Sequence, residues 1–63
     1  MTELIIGDTG KASFKYQKKD FKGGVTANGT IRAVEIDYVM FEDNDGYLYL
    51  VKRDEFNFEK DDK

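Results

Sequence analysis

The stretch "FEDNDGYLYLV", residues 41 to 51, has an acidic tip whose carboxylates are the ligands that calcium prefers. A calcium loop of the EF-hand type needs oxygen ligands at its odd positions, glycine at the sixth position and a glutamate at the twelfth. With Gly46 in the sixth position, the first is Phe41 and the twelfth is Lys52, so both ends of the loop fail. The remaining carboxylates, exposed on a turn, would hold a cation weakly. We therefore predict no metal site.

A turn between two strands explains the same residues without a ligand. Asn44 and Asp45 suit a type I turn, and Gly46 supplies the left-handed residue of the bulge that follows. A three-residue loop of this kind also fixes which residues face each other. The predicted pairs are Asp43 with Tyr47, Phe41 with Tyr49 and Val39 with Val51, with Asp37 near Arg53.

The stretch "GDTGKAS", residues 7 to 13, invites two catalytic motifs. A phosphate-binding P-loop fails twice, because Ile5 stands where glycine is needed and Ala12 where a hydroxyl is needed. Asp8-Thr9-Gly10 matches the tripeptide around the catalytic carboxylate of aspartic proteases. A chain of 63 residues has little room for the sheet, flap and cleft of such an enzyme, so we interpret these residues as a turn.

Other catalytic chemistry lacks its partners. Ser13 is the only serine, and the chain has neither histidine nor cysteine to activate a nucleophile or to ligate zinc. The carboxylates are predicted on turns and exposed strand positions, where nothing raises a pKa. We predict that the chain is not an enzyme and uses no cofactor.

The segment of residues 11 to 22 interleaves lysines with aromatic rings and holds five lysines against one aspartate. Rings stack on bases and lysines neutralise phosphates, a composition typical of surfaces that bind single-stranded nucleic acid. Alternation instead predicts that the rings point inward and the lysines form a soluble face, and the net charge of −3 disfavours phosphate binding. Nucleic-acid binding is kept as the alternative function, with six candidate residues: Phe14, Lys15, Tyr16, Lys18, Lys19 and Phe21.

Size and charge set the context for these sites. A chain of 63 residues is a single domain near the lower limit for folding without disulfides or metals. We expect residues 1–59 to form the domain and residues 60–63 a frayed polar tail.

The charge is distributed unevenly along the chain. From Ala33 onward there are ten acids against four bases, so a basic first third is followed by an acidic remainder. This asymmetry favours a charged partner or head-to-tail self-contact. The opening "MTELII" lacks a signal-like charge and no run is long enough to span a membrane, so we expect a cytoplasmic protein.

Glycine-bounded alternation predicts strands. Breaks fall at Gly7 and Gly10, at Gly23-Gly24, at Asn28-Gly29 and at Gly46, which implies five strands. Asn28-Gly29 is predicted to close a tight type I′ hairpin, because both residues tolerate positive φ. Lys52 to Glu55 is predicted as a single helical turn before a short last strand containing Phe56 and Phe58.

The predicted register divides the second half of the chain into two faces. We assign the aliphatic-rich face to the core: Val34, Ile36, Tyr38, Met40, Leu48 and Leu50. The other face is then an exposed aromatic patch, which on a small protein usually marks a contact site. The candidate protein-binding residues are Val39, Phe41, Tyr47 and Tyr49. The alternative is a bent barrel that buries both faces at different points along one strand.

The pattern "SFKYQKKDF", a hairpin, "TIRAVEIDYVMFEDNDGYLYLVKRDEF" and a closing turn resembles an SH3-like small barrel over residues 12 to 56. The strand "FKY" and the acidic-glycine hairpin are similar to those of the small archaeal chromatin proteins, and "RAVEI" followed by "VMFED" is similar to Tudor-type modules. The resemblance implies a fold. The chain has no tryptophan and carries Glu35 and Asp37, so it does not reproduce the DNA-binding face of the chromatin proteins.

Together these observations predict an all-β, five-stranded SH3-like small barrel with a short helical turn before the last strand. The predicted function is that of a non-catalytic small binding protein of the accessory or inhibitor type, which acts through contact with a protein partner of unknown identity. A third interpretation is a homo-oligomer formed through the aromatic patch, which would relieve the thin core.

Overall fold

The computed structural model of the chain describes residues 4–18 and 20–61, with only the backbone at positions 17, 18 and 21. It contains one 3₁₀ turn, Arg53–Glu55, and five strands: β1 (Thr9–Lys18), β2 (Phe21–Val34), β3 (Tyr38–Asp43), β4 (Leu48–Lys52) and β5 (Asn57–Lys60). The prediction of an all-β chain with five strands and a helical turn before the last strand is confirmed.

The five strands form one antiparallel sheet in the order β4-β3-β2-β1-β5. Strands β1 to β4 follow one another as a meander, and β5 returns to pair with the other side of β1. Over the described residues β4 and β5 are the two edges of the sheet and do not pair with each other. The sheet is therefore not closed into the barrel that the sequence predicted.

The C-terminal end of the described chain is held to β1. The Asp61 N–H donates to the Thr9 carbonyl oxygen over 2.9 Å, and the Thr9 hydroxyl donates to Asp61 Oδ2 over 3.1 Å. Residues 62 and 63 lie outside the described part of the chain. The predicted boundary between a domain at 1–59 and a tail at 60–63 stays a prediction.

The predicted hairpin turn at Asn28-Gly29 is wrong, because both residues lie inside β2. Asn28 pairs with Lys11 and Gly29 pairs with Gly10 in a ladder that continues to the pair of Lys18 with Phe21. The chain therefore changes direction after Lys18 and before Phe21, with Asp20 in a turn. Ten consecutive residue pairs form this ladder, and their hydrogen bonds outweigh the local turn preference of a single dipeptide.

Gly29 instead serves a close approach between backbones. A Cβ atom at Gly29 would overlap the carbonyl oxygen of Glu42 in β3, and one at the paired Gly10 would overlap the carbonyl oxygen of Glu59 in β5. The two glycines thus allow both neighbouring strands, β3 beside β2 and β5 beside β1, to approach the β1–β2 ladder closely at the same point. Next to Gly29, the β2–β3 register shifts between Ile31 and Ala33, which is a β-bulge.

The hairpin between β3 and β4 has the predicted register. Val39 pairs with Val51 and Phe41 with Tyr49, and Gly46 takes the predicted left-handed conformation with φ of 88°. Asp43 Oδ1 accepts the Asp45 N–H over 3.0 Å and the Tyr47 N–H over 2.9 Å. The interpretation of the acidic tip as a turn is confirmed, and its first carboxylate caps backbone donors.

The core lies on the face of β3 and β4 that the sequence assigned to solvent. Phe41 packs its ring against Phe14, Phe56 and Phe58, with ring centroids 5.7 to 6.3 Å apart. Rings from β1, from the residue after the 3₁₀ turn and from β5 therefore determine which face of β3 turns inward. Among the described residues, the buried apolar side chains are Ala12, Phe14, Ile31, Val39, Phe41, Val51 and Phe56. The predicted assignment of the two faces is wrong.

A matched pair of isoleucines tests this corrected core. Ile31 is fully buried, whereas Ile36 is 88% exposed. We expect Ile31→Val to lower the free energy of unfolding by about 1 kcal/mol, because a buried methyl group is lost. Ile36→Val should change it by less than about 0.5 kcal/mol. Urea unfolding followed by circular dichroism measures both, and a larger cost at Ile36 would contradict the observed faces.

A matched pair of glycines tests the close approach of β3 to β2. Gly29→Ala places a methyl group against the Glu42 carbonyl, so we expect destabilisation of at least about 2 kcal/mol. Gly24 lies in the same strand with open space at its Cβ position. Gly24→Ala should leave stability unchanged or raise it by about 0.4 to 1 kcal/mol. Thermal unfolding compares the two variants, and equal melting temperatures would argue against the close approach of β3 to β2 at Gly29.

Candidate functional site

The outer face of the sheet, which points away from the core, is divided into a polar half and an apolar half. On β1, on the neighbouring part of β2 and on β5, outward positions carry polar side chains. These are Lys11, Ser13, Lys15, Thr26, Asn28, Asn57 and Glu59. Ser13 and Thr26 face each other there, and their hydroxyl oxygens are 3.2 Å apart. This half has the composition expected of the solvated face of an antiparallel sheet.

Along most of β3 and β4, and in the loop just before β3, the outward positions are instead apolar. We call the following five residues the apolar face: Ile36, Tyr38, Met40, Leu48 and Leu50. All five are exposed, from 36% for Met40 to 88% for Ile36. Met40 pairs with Leu50 across the hairpin and with Ala33 on β2, so the apolar side chains form a band across three strands. Grouped exposed apolar side chains of this kind mark a contact surface more often than isolated ones do.

The two ends of the apolar face carry opposite charges. Glu42 pairs with Leu48 at the end near the hairpin tip, and Lys52 pairs with Tyr38 at the other end. The Glu42 carboxylate also contacts Arg32 Nε at 3.3 Å from Oε1. The charges lie on the same outward side of the strands as the apolar residues, because they alternate with buried positions.

Beyond Lys52 the apolar face ends at a polar cavity of about 330 Å³, between the loop before β3 and the 3₁₀ turn. Arg53 Nη1 donates to the Glu35 carbonyl oxygen over 3.0 Å, and the Arg53 N–H donates to the Asp37 carbonyl oxygen over 2.8 Å. These bonds fix the loop that presents Ile36, the most exposed apolar side chain of the described residues. The loop is therefore held in place, although the side chain of Ile36 is exposed to solvent.

The aromatic patch predicted from the sequence is not an exposed surface. Val39 and Phe41 are fully buried, so their predicted exposure is wrong. Tyr49 is half-buried, and its ring packs 5.2 Å from Phe14 and 5.0 Å from Tyr16, measured between centroids. Tyr47 is exposed, with its ring 4.8 Å from that of Tyr49. Of the four residues predicted to bind a protein, only Tyr47 is exposed on the surface.

Of the basic and aromatic residues of β1 that the sequence predicts to bind nucleic acid, some are exposed and others are buried. Phe14 is buried in the core and is therefore unable to stack on a nucleic-acid base. Lys15 is exposed and Tyr16 is half-buried. The side chains of Lys18, Lys19 and Phe21, which the sequence also predicts to bind nucleic acid, lie outside the described part of the structure. A groove of about 550 Å³ does bring Lys15 and Tyr16 together with Lys22, Gly23, Gly24 and Glu55.

Two further features bear on chemistry. Across the described residues, no group of three or more histidine, cysteine, aspartate or glutamate side chains is placed to hold a metal ion. In the same part of the chain, no helix has the length and apolar character needed to cross a membrane.

The sequence shows the apolar face as an alternating apolar pattern, which predicts a position in the core. Charge in the sequence does not separate this face from the other face of the same strands. Glu42 and Lys52 continue the alternation of the apolar face, while Asp37, Asp43 and Arg53 continue that of the opposite face. No local signal in the sequence therefore identifies the exposed face.

Three comparisons set this chain beside known proteins. The chain matches no model of a protein family, no curated protein and no solved structure. Its function has therefore to be inferred from the apolar face and the groove.

Proposed function

We propose that this chain is a non-catalytic small binding protein of the accessory or inhibitor type, which acts through contact with another protein. The observation that carries the proposal is the division of the outer face. The polar half shows the ordinary composition of a solvated sheet, while β3 and β4 expose a band of large apolar side chains. Burying such a band in a partner is worth about 25 cal/mol for each Å² removed from water.

The composition of the apolar face suits binding better than catalysis. Four of its five side chains have no acid, base or nucleophile, and the fifth, Tyr38, carries only a phenol. Met40 has a flexible thioether side chain that adapts to an opposing surface, and Leu48 and Leu50 add apolar area beside it. The bordering charges of Glu42 and Lys52 form a polar rim of the kind that surrounds the core of an interface.

The strand order supports placing the chain among SH3-like small β folds. A four-stranded meander is followed by a 3₁₀ turn and a fifth strand that returns to β1. This is the arrangement implied by the sequence resemblance, without closure between β4 and β5. Within such a fold the β3–β4 hairpin offers an outer surface on which a partner can be seated without disturbing the core.

A matched pair of lysine substitutions tests the proposal. Leu50→Lys places a charge in the centre of the apolar face, whereas Thr26→Lys places the same charge in the polar half of the same sheet. We expect a set of proteins captured from a lysate of source cells by the wild-type chain to be lost with Leu50→Lys and kept with Thr26→Lys. Quantitative mass spectrometry of the captured fractions measures this. Identical sets from all three baits would contradict the proposal.

A second candidate function, binding of single-stranded nucleic acid, is favoured by the groove. Lys15 and Lys22 lie beside the half-buried ring of Tyr16, and Gly23 and Gly24 leave the backbone uncovered there. Two lysines would neutralise phosphates while the ring stacks on a base. Glu55 lines the same groove and weakens its positive field.

Fluorescence anisotropy with a labelled oligonucleotide at two salt concentrations tests this second candidate. Binding through the groove should weaken as salt rises and should be lost in the double variant Lys15→Glu and Lys22→Glu. The control double variant, Lys52→Glu and Lys60→Glu, has the same net charge but alters residues outside the groove. Equal loss of binding in both variants would indicate nonspecific attraction and would argue against the groove.

A further inference from the structure

The apolar face has a pattern that is complementary to itself. Along the strands, a carboxylate at Glu42 stands at one end and an ammonium at Lys52 at the other, with Met40 and Leu50 paired at the centre. A surface with this order presents opposite charges to a copy of itself that runs in the opposite direction. The same surface placed on a copy running in the same direction would bring like charges together.

We propose that the apolar face binds a second copy of this chain, as a two-fold dimer in which the β3–β4 faces of two sheets pack on each other. This inference rests on the proposed function, because it names the partner of the same face. The two-fold axis lies in the interface, across the strands, and passes by the Met40 and Leu50 pair. Each Lys52 then approaches Glu42 of the other copy, and the contact occurs twice.

Glu42 can accept this contact although Arg32 already lies beside it. Arg32 Nε is 3.3 Å from Oε1, and a carboxylate has further lone pairs on both oxygens. The Arg32 and Glu42 side chains are 56% and 33% exposed, so the pair remains open to a second cation. Arg32 also lies at the bulge beside Ala33, and thus at the border of the same face.

The area of the face predicts a weak dimer. A six-residue strand is roughly 20 Å long, and three strands are about 15 Å wide. A standard interface buries about 800 Å² on each partner, which is roughly one sixth of the 4884 Å² surface of this chain. The apolar face covers roughly 300 Å², which is well below that figure, so we expect a weak dimer that forms only at high protein concentration. Such a dimer opens on dilution and releases the face to another protein.

Sedimentation equilibrium over a range of concentrations tests the dimer. We expect the wild-type mass to rise from one chain of 7.3 kDa towards two as concentration increases. Leu50→Lys should remain a monomer throughout, and the control Thr26→Lys should associate like the wild type. Circular dichroism shows whether each variant is folded. Leu48→Lys, on the same face, takes the place of Leu50→Lys if the latter unfolds.

Charge exchange distinguishes this geometry from other contacts. Lys52→Glu and Glu42→Lys should each raise the dissociation constant about ten-fold, because every dimer contains two copies of the contact. The variant with both substitutions should recover most of the lost affinity. No recovery, or a dimer insensitive to Leu50→Lys, would overturn the proposed packing.

The results also separate the inference from the proposed function. A wild-type chain that stays at the mass of a monomer overturns the dimer, while the proteins lost with Leu50→Lys in the capture experiment still support binding of another protein. A dimer that depends on Leu50, with no difference between the captured sets, supports the inference and removes the role of another protein.

Discussion

The ring cluster around Phe41 is the constraint on which the rest of the structure depends. Phe41 meets rings from β1, from the end of the 3₁₀ turn and from β5, so distant parts of the chain converge on one side chain. In a chain of this size few residues are fully buried, and large rings fill the interior more completely than aliphatic side chains would. Because side chains alternate along a strand, turning Phe41 inward turns Met40 outward. The apolar face is therefore a direct consequence of the core.

The strands reach this cluster because neighbouring backbones approach each other closely at one point, where glycine leaves room for them. Gly10 and Gly29 face each other in the β1–β2 ladder, and neither position has room for a side chain. There β3 and β5 lie close against the ladder on its two sides, and Phe41 and Phe58 from these strands meet in the same interior. Gly10 and Gly29, which the sequence predicts at breaks between strands, thus lie inside strands, where they permit the close approach of neighbouring backbone.

Local features were predictable from the sequence, and the features decided by distant contacts were not. The register of the β3–β4 hairpin follows from Gly46 and its neighbours, because a short loop fixes the pairs beside it. The turn at Asn28-Gly29 was wrong because pairing with β1 extends past it. The assignment of faces was wrong because both faces are apolar, and only contacts of Phe41 with rings far along the chain distinguish them. For the same reason the exposed surface lies not at Val39 and Phe41 but on the opposite side of the same two strands.

The proposed role of the apolar face also bears on the stability of the chain, because the core is small. Side chains such as Ile36 and Leu50 are exposed in the folded chain, so they contribute little to its stability alone. A partner that covers them binds only the folded state and therefore stabilises it by mass action. In the proposed dimer the second copy supplies this cover, and in the proposed accessory role a different protein does. Since both use the same side chains, the two modes exclude each other. The concentration of the chain then determines how much of its binding surface is free.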